Sequence, residues 1–349
     1  MVKRTRVAEI VEIDRVDGGA HPRGTTRLVG QDAALAIVSR AIRGHRPPQA
    51  WLICGPPGVG KATLAYRIAR YLLCYGATDR GAADLGVPAK DPAAIQVSAG
   101  SHPGLLVLKR GFNSEGKLMT VLGVEEMSRL IGFFGMTSGA GGWRIVIVDT
   151  ADDMNDNSAN ALLKLLEEPP SRAMLLLLSN APGRLLPTIR SRCQRLSLRP
   201  LTEAEIEAEL GRLLPEMDAG ERKALARLSG GSLGAALRLA GGEGVALARE
   251  AARLIDEARA PDVSALFALA DRLGRITDGL DMLGEFLLQG LSERIRARAG
   301  QPQVDKWVDA LERLRRGFAR TNALHLDPRQ TLLSAARDLS MTTRRVGPV

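Results

Sequence analysis

The stretch Trp51-Leu52-Ile53-Cys54-Gly55-Pro56-Pro57-Gly58-Val59-Gly60-Lys61-Ala62-Thr63 decides how the rest of the chain is read. Four apolar residues run into a Gly/Pro-rich turn, and the turn ends in a lysine that opens an amphipathic segment. A phosphate-binding loop needs this order. Glycines let backbone N–H groups turn inward around a polyphosphate at a helix N-terminus, and Lys61 adds a point charge near the terminal phosphates. A Gly/Pro turn before a helix also arises without a ligand, but here the lysine, the spacing and both flanks are in place. The candidate binding residues are Gly55, Pro56, Pro57, Gly58, Val59, Gly60 and Lys61, with Ala62 and Thr63 at the head of the helix.

Outward from the loop, residues from Arg27 to about Pro200 alternate short apolar runs with helical patterns, which predicts an α/β domain with a parallel sheet. Trp51–Cys54, Arg144–Asp149 (RIVIVD) and Ala173–Ser179 (AMLLLLS) read as strands buried on both faces, because they are continuously apolar. Helices are expected from Gly60 and over Asn157–Glu168, the latter stopped by Pro169 and Pro170. The Gly-, Ala-, Asp- and Pro-rich segment from Cys74 to Gly104 reads as a surface excursion without regular structure. Strand signals vanish after Pro200. Thr202 and Glu205 form a capping-box pattern, and the following segments break and restart at glycines. The expected division is an α/β nucleotide-binding domain over 1–200, a small helical lid over 201–243 and an all-α domain over 244–349.

The loop lacks one of its usual parts. A Ser or Thr normally follows the lysine and holds Mg²⁺ through its hydroxyl, whereas this chain has Ala62. Thr63 comes one position late, and one residue along a helix turns a side chain by about 100°. The second strand ends in Asp149, where a nucleotide-hydrolysing domain puts the acid that orients Mg²⁺. Its usual neighbour, a Glu that polarises water, is replaced by Thr150. Asp152 and Asp153 lie beyond the strand end and do not simply take over. Two catalytic parts are missing together, which argues for lost hydrolysis and against a resident metal.

The composition fits this picture. The 349 residues carry 48 Lys plus Arg against 39 Asp plus Glu, a net charge of +9, and are 3% aromatic, so the cores must be built from Ala, Leu, Val and Ile. The excess sits at the two ends, with nine basic and five acidic residues in each of 1–50 and 301–349. That favours contact with a polyanion or simply a solvated, Arg-rich surface. No uncharged apolar run approaches the roughly 18 residues of a membrane span, and acids occupy the N-terminal stretch where a signal peptide needs its apolar core. Cys54, Cys74 and Cys193 are too few and too scattered for a disulfide framework or a metal site, which predicts the reducing cytoplasm.

Three stretches carry a family resemblance: GPPGVGKATLAYRIARYLL from Gly55, SANALLKLLEEPP from Ser158 and TIRSRCQRL from Thr188. The chain thereby resembles the AAA+ superfamily and, within it, the delta-prime family of subunits of the bacterial DNA polymerase III clamp loader. The resemblance covers nearly the whole chain. It implies a P-loop domain, a lid and an all-α collar in a replication assembly of the bacterial cytoplasm, associated with the nucleoid. The implied partners are loader subunits of the gamma/tau and delta types, the sliding clamp, and primed DNA through the assembly, with no membrane.

The resemblance also implies site roles. In the triplet Ser191-Arg192-Cys193, Arg192 would be an arginine finger acting on nucleotide held by a neighbouring subunit. The polar residue that senses the terminal phosphate would be Ser179 or Asn180, and the lid arginine of active subunits falls on Gly234, where it is missing. Arg238, one turn further, reads as a solvated helix residue. The family's four-cysteine zinc module would occupy the region of Cys74 to Gly104, where only Cys74 remains, with His102 far along; no zinc is expected. ATP is expected to be weakly held or not hydrolysed, with Mg²⁺ only as its companion. Two other readings stand beside a non-hydrolysing subunit. One is an active motor, either of gamma/tau type or a branch-migration helicase, which Ala62, Thr150 and Gly234 disfavour. The other is a switch that binds ATP without turning it over.

Overall fold

The computed structural model describes residues 20–44, 47–110, 119, 121–135, 142–241, 243–276, 279–324 and 327–349. The acidic and basic N-terminal stretch over 1–19 lies outside the described residues. In chain order the first elements are α1 (Asp32–Arg43), β1 (Ala50–Cys54), α2 (Lys61–Tyr75), α3 (Pro92–Ala99), β2 (Leu105–Lys109), α4 (Val124–Gly135) and β3 (Arg144–Asp149). They are followed by α5 (Asp156–Glu167), β4 (Ala173–Ser179), α6 (Pro187–Arg192), β5 (Gln194–Ser197) and α7 (Glu203–Leu213). The remaining elements are all helices: α8 (Ala219–Leu228), α9 (Leu233–Ala240), α10 (Gly244–Asp256), α11 (Val263–Leu273), α12 (Gly279–Ala297), α13 (Val304–Leu324) and α14 (Pro328–Val346).

The five strands form one parallel sheet in the order β2-β3-β4-β1-β5. Period-two alternation divides its side chains between two cores. Trp51, Ile53, Ile145, Ile147, Leu176 and Leu178 face α1 and α2, while Leu52, Val146, Val148, Leu175 and Leu177 face α4, α5 and α6. Each fully buried leucine of β4 contributes about 1.5–3 kcal/mol of transfer free energy, so this strand anchors the domain. The fold is the expected α/β P-loop architecture with an all-α C-terminal region.

Two edge strands, β2 and β5, carry weak sequence signals, and each has one buried residue, Leu108 and Leu196. The segment from Cys74 to Gly104 departs from expectation. It contains α3, started by Asp91, whose carboxylate accepts from the N–H groups of Ala93 and Ala94, with Pro92 in the first turn. Leu85 and Val97 of this segment are fully buried in the α1/α2 core. An Asp-Pro pair at the head of a helix satisfies free N–H groups and pre-sets φ, which outweighs the high Gly and Ala content around it.

The chain divides into two compact units, Met1–Met217 with Gly231–Leu237, and Asp218–Gly230 with Arg238–Val349. The boundaries of these units run through the region read as the lid, residues 201–243. The reason is local. In the first unit Glu205 completes the capping box of Thr202 and pairs with Arg199, Arg27 reaches Glu209 at 3.2 Å, and Leu201 donates to the carbonyl of Gly231 at 2.9 Å. In the second unit α10 packs on α12, and α13 on α12 and α14. Leu283, Leu287, Leu291 and Ile295 form the buried stripe of α12, and Gly284 lets the Phe318 ring of α13 close to 2.8 Å of where a Cβ would stand. Among the described residues no helix is long and apolar enough to cross a membrane.

Candidate functional site

The loop from Gly55 to Lys61 joins the carboxyl end of β1, an inner strand between β4 and β5, to α2, and ligands of open parallel sheets bind outside the carboxyl ends of the strands. Gly58 and Gly60 have φ of 73° and 104°, a region L side chains rarely enter, so the glycines are required by the backbone itself. Val59 points down into the core at 2% exposure and anchors the loop. Gln31, unremarkable in the sequence, braces it. Its amide donates to the carbonyls of Arg199 at 2.8 Å and Val59 at 3.4 Å and accepts from the N–H of Arg199 at 3.2 Å.

Lys61 is directed at the loop. Its ammonium donates to the carbonyls of Gly55 at 2.8 Å and Pro56 at 2.7 Å, and the residue is 8% exposed. Burial pushes its pKa down to about 8, with Asp149 and Asp152 pulling the other way. The charge a phosphate would need is thus bonded to the loop's own backbone. Ala62 is half-buried and packs against the core, and Thr63 is half-buried beside it.

The ends of β3 and β4 flank the loop. Cys54 lies opposite Ser179 in the sheet, and Thr150 Oγ1 stands 3.5 Å from Asp149 Oδ1. Asp152 holds this corner together, which sequence reasoning missed. It accepts from Ser179 Oγ at 2.6 Å and from the backbone N–H groups of Asn180 at 2.5 Å and Ala181 at 3.0 Å. Ser179 is fully buried and committed to Asp152, while Asn180 is exposed. Asp153 turns away to Arg110 at 3.2 Å.

The start of α9 closes over the loop. Gly234 donates its N–H to the carbonyl of Gly58 at 3.1 Å, and a Cβ at Gly58 would overlap Ser232 Oγ. Gly234, where the resemblance implies a missing lid arginine, is therefore in backbone contact with the loop. Arg238 is exposed.

Arg192 is not brought to this loop. It ends α6 just before β5, and the register Trp51↔Gln194 sets it at the amino ends of the strands, whereas the loop leaves their carboxyl ends. Its side chain is 37% exposed and pairs with Glu167 at 2.8 Å. Neighbouring Cys193 is half-buried, and burial pushes its thiol up to about 12, which disfavours the thiolate. Cys74 donates its Sγ–H to Asp91 Oδ1 at 3.1 Å, a packing role at the head of α3.

Two further arginines escaped sequence reasoning, because Arg67 and Arg70 look like the wet face of α2. Both are buried. Arg70 donates to the carbonyls of Arg23 and Thr25 at 2.6 Å each, and Arg67 to Asp84 and to the carbonyl of Thr26, so they bind the segment before α1.

A family model described as "DNA polymerase III, delta subunit" matches residues 30–202. The chain is 40% identical over 193 residues to DNA polymerase III subunit delta' of Pseudomonas aeruginosa, covering 55% of this chain and 56% of that one. It is 36% identical over 211 residues to the Escherichia coli subunit delta', covering 60% and 58%. DNA polymerase III subunit gamma/tau of Mycobacterium bovis is more distant, 28% identical over 86% of this chain and 54% of that one. The chain thus spans a little over half the length of the relatives it matches. The matched region holds the loop, Asp149, Ser179 and Arg192, and the chain belongs to the delta-prime family of DNA polymerase III subunits.

Proposed function

We propose that this chain is a largely non-hydrolysing subunit of the DNA polymerase III clamp loader, which helps place the sliding clamp on primed DNA in the bacterial cytoplasm. One observation carries the reading: Lys61 is bonded to the carbonyls of Gly55 and Pro56, and Ala62 after it, Thr150 after β3 and Gly234 in α9 stand where the resemblance implies the metal, water and lid groups of a motor. In this reading the loop's remaining N–H groups, with Asn180 and Asp149 nearby, hold ATP weakly or without turnover. The sheet domain, a lid over 201–243 and a collar over 244–349 join the chain to gamma/tau and delta type subunits. The motor alternative is disfavoured by the greater distance of the gamma/tau relative.

The contribution to catalysis is made in trans. Arg192 is exposed at the opposite end of the strands from its own loop, so a nucleotide it touches belongs to a neighbouring subunit. Arginine fingers contribute about 10³–10⁵ in rate to phosphoryl transfer, whereas an exposed arginine contributes within about 0.5 kcal/mol to its own fold. The test is Arg192→Ala in the reconstituted loader. Melting of the subunit and ring assembly by native mass spectrometry are expected to be unchanged, and clamp- and DNA-stimulated ATP hydrolysis to fall at least tenfold. Hydrolysis at the unmodified rate would sink the reading.

A further inference from the structure

Arg192 is held by its own chain on two sides. Nη1 donates to the carbonyl of Thr188 at 3.1 Å and lies 3.5 Å from Ser191 Oγ, while Nη2 donates to Glu167 Oε1 at 2.8 Å. Glu167 is the last residue of α5, and Arg192 the last of α6. Leu166 and Ile189, the buried residues beside them, sit in the same core beneath the sheet, so both partners stand on fixed supports. Of the five N–H donors of a guanidinium, these contacts leave the Nε–H and one Nη2–H outside, on a side chain that is 37% exposed.

We infer that Glu167 is a positioning residue for Arg192: it fixes the guanidinium plane while leaving two N–H groups outward for a phosphate oxygen presented by another chain. This rests on the reading of Arg192 as a finger. A free arginine side chain loses considerable rotamer freedom when it docks, and a finger already held loses less. An ion pair between two exposed side chains is weak, so its removal costs orientation without costing the fold. The carboxylate at 52% exposure also remains in water, where its negative charge is screened from an approaching phosphate.

The experiment uses complete rings containing the unmodified chain, Glu167→Gln, Glu167→Asp, Glu168→Gln, Arg192→Ala or the Glu167→Gln/Arg192→Ala pair, with assembly checked by native mass spectrometry. Glu167→Gln is expected to lower the maximal clamp- and DNA-stimulated turnover about two- to fivefold at unchanged KM for ATP, as loss of one exposed ion pair allows. Glu167→Asp, which keeps the carboxylate, recovers part of the rate, and Glu168→Gln next door changes nothing. In the Arg192→Ala background Glu167→Gln has no further effect. Unmodified or faster turnover with Glu167→Gln overturns the positioning role, as does the same fold-loss in the Arg192→Ala background, which would mark Glu167 as structural. Unmodified turnover with Arg192→Ala instead overturns the finger reading itself, so the two failures are told apart.

Discussion

Gly234 donates its backbone N–H to the carbonyl of Gly58 at 3.1 Å, so the head of α9 is fastened to the tip of the phosphate loop. Both residues lie in the same compact unit, which includes Gly231–Leu237. Gly234, where the family resemblance implies a missing lid arginine, serves here as a backbone contact. The bond uses only backbone atoms, and the same contact leaves no room for a Cβ at Gly58, which would meet Ser232 Oγ and Gly234 Cα.

The first prediction concerns hydrolysis. Phosphate release by the isolated chain is expected to stay at background with Mg²⁺ and ATP. Ala62→Thr combined with Thr150→Glu is expected to leave it there, because Gly234 still supplies no charge and Lys61 is still bonded to Gly55 and Pro56. Robust Mg²⁺-dependent turnover by the unmodified chain would contradict the closed-loop account.

A second prediction tests that closure directly. Gly58→Ala places a Cβ at φ of 73°, against Ser232 Oγ and 3.1 Å from Gly234 Cα. Backbone strain and overpacking each cost about 1–3 kcal/mol. Thermal melting should therefore fall by several degrees, and Ser232→Gly should restore part of the loss by removing the nearest side chain. A Gly58→Ala protein that melts with the unmodified one would show that the α9 contact is not held in solution.

How far the sequence reveals this site depends on how far apart the partners lie. The loop is legible because all its parts fall within thirteen consecutive residues, Trp51 to Thr63, and the three inner strands because burial on both faces forces unbroken apolar runs. Gln31 reaches Arg199 across 168 positions, Asp152 reaches Ser179 across 27, and Glu167 reaches Arg192 across 25. No local pattern marks such pairs, since nothing in the residues around one partner names the other. The same holds for Arg67 and Arg70, whose acceptors are backbone carbonyls, which leave no trace in residue type.

The third prediction concerns acid stability. Arg199 donates to both carboxylate oxygens of Glu205, at 2.9 and 2.6 Å, and this pair, followed by the N–H of Thr202, holds the Glu205 carboxyl down at about 2 against an ordinary 4.5. A lowered folded-state pKa stabilises the fold fully above the unfolded value, and that share is lost as pH falls from about 4.5 through about 2. Glu205→Gln should melt ~2–4 °C lower at pH 7, and the gap should close between pH 4.5 and 2. A gap that is constant with pH would mean that the carboxylate charge is not what joins α7 to the sheet.

The last prediction follows Lys61 through its protonation. Burial lowers its pKa from 10.5 to about 8, so the folded state disfavours the ammonium. By linkage that penalty is complete below about 8 and disappears as pH rises towards 10.5, so this residue makes the protein more stable with rising pH across that window. Lys61→Met, which keeps the bulk and removes the charge, should raise the melting temperature by a few degrees at pH 7, and the advantage should shrink from about pH 8 to 10.5. Polyphosphate binding runs the opposite way, since an anion at the loop raises the lysine's pKa and draws in a proton. Binding of a fluorescent ATP analogue should therefore be weak at pH 7, because Gly55 and Pro56 compete for the ammonium, and weaker still at pH 9, where much of the lysine is neutral. Equilibrium titrations at the two pH values, with Lys61→Met alongside, decide the matter. Affinity that is independent of pH, or unchanged in Lys61→Met, would mean that nucleotide reaches the protein without using this loop.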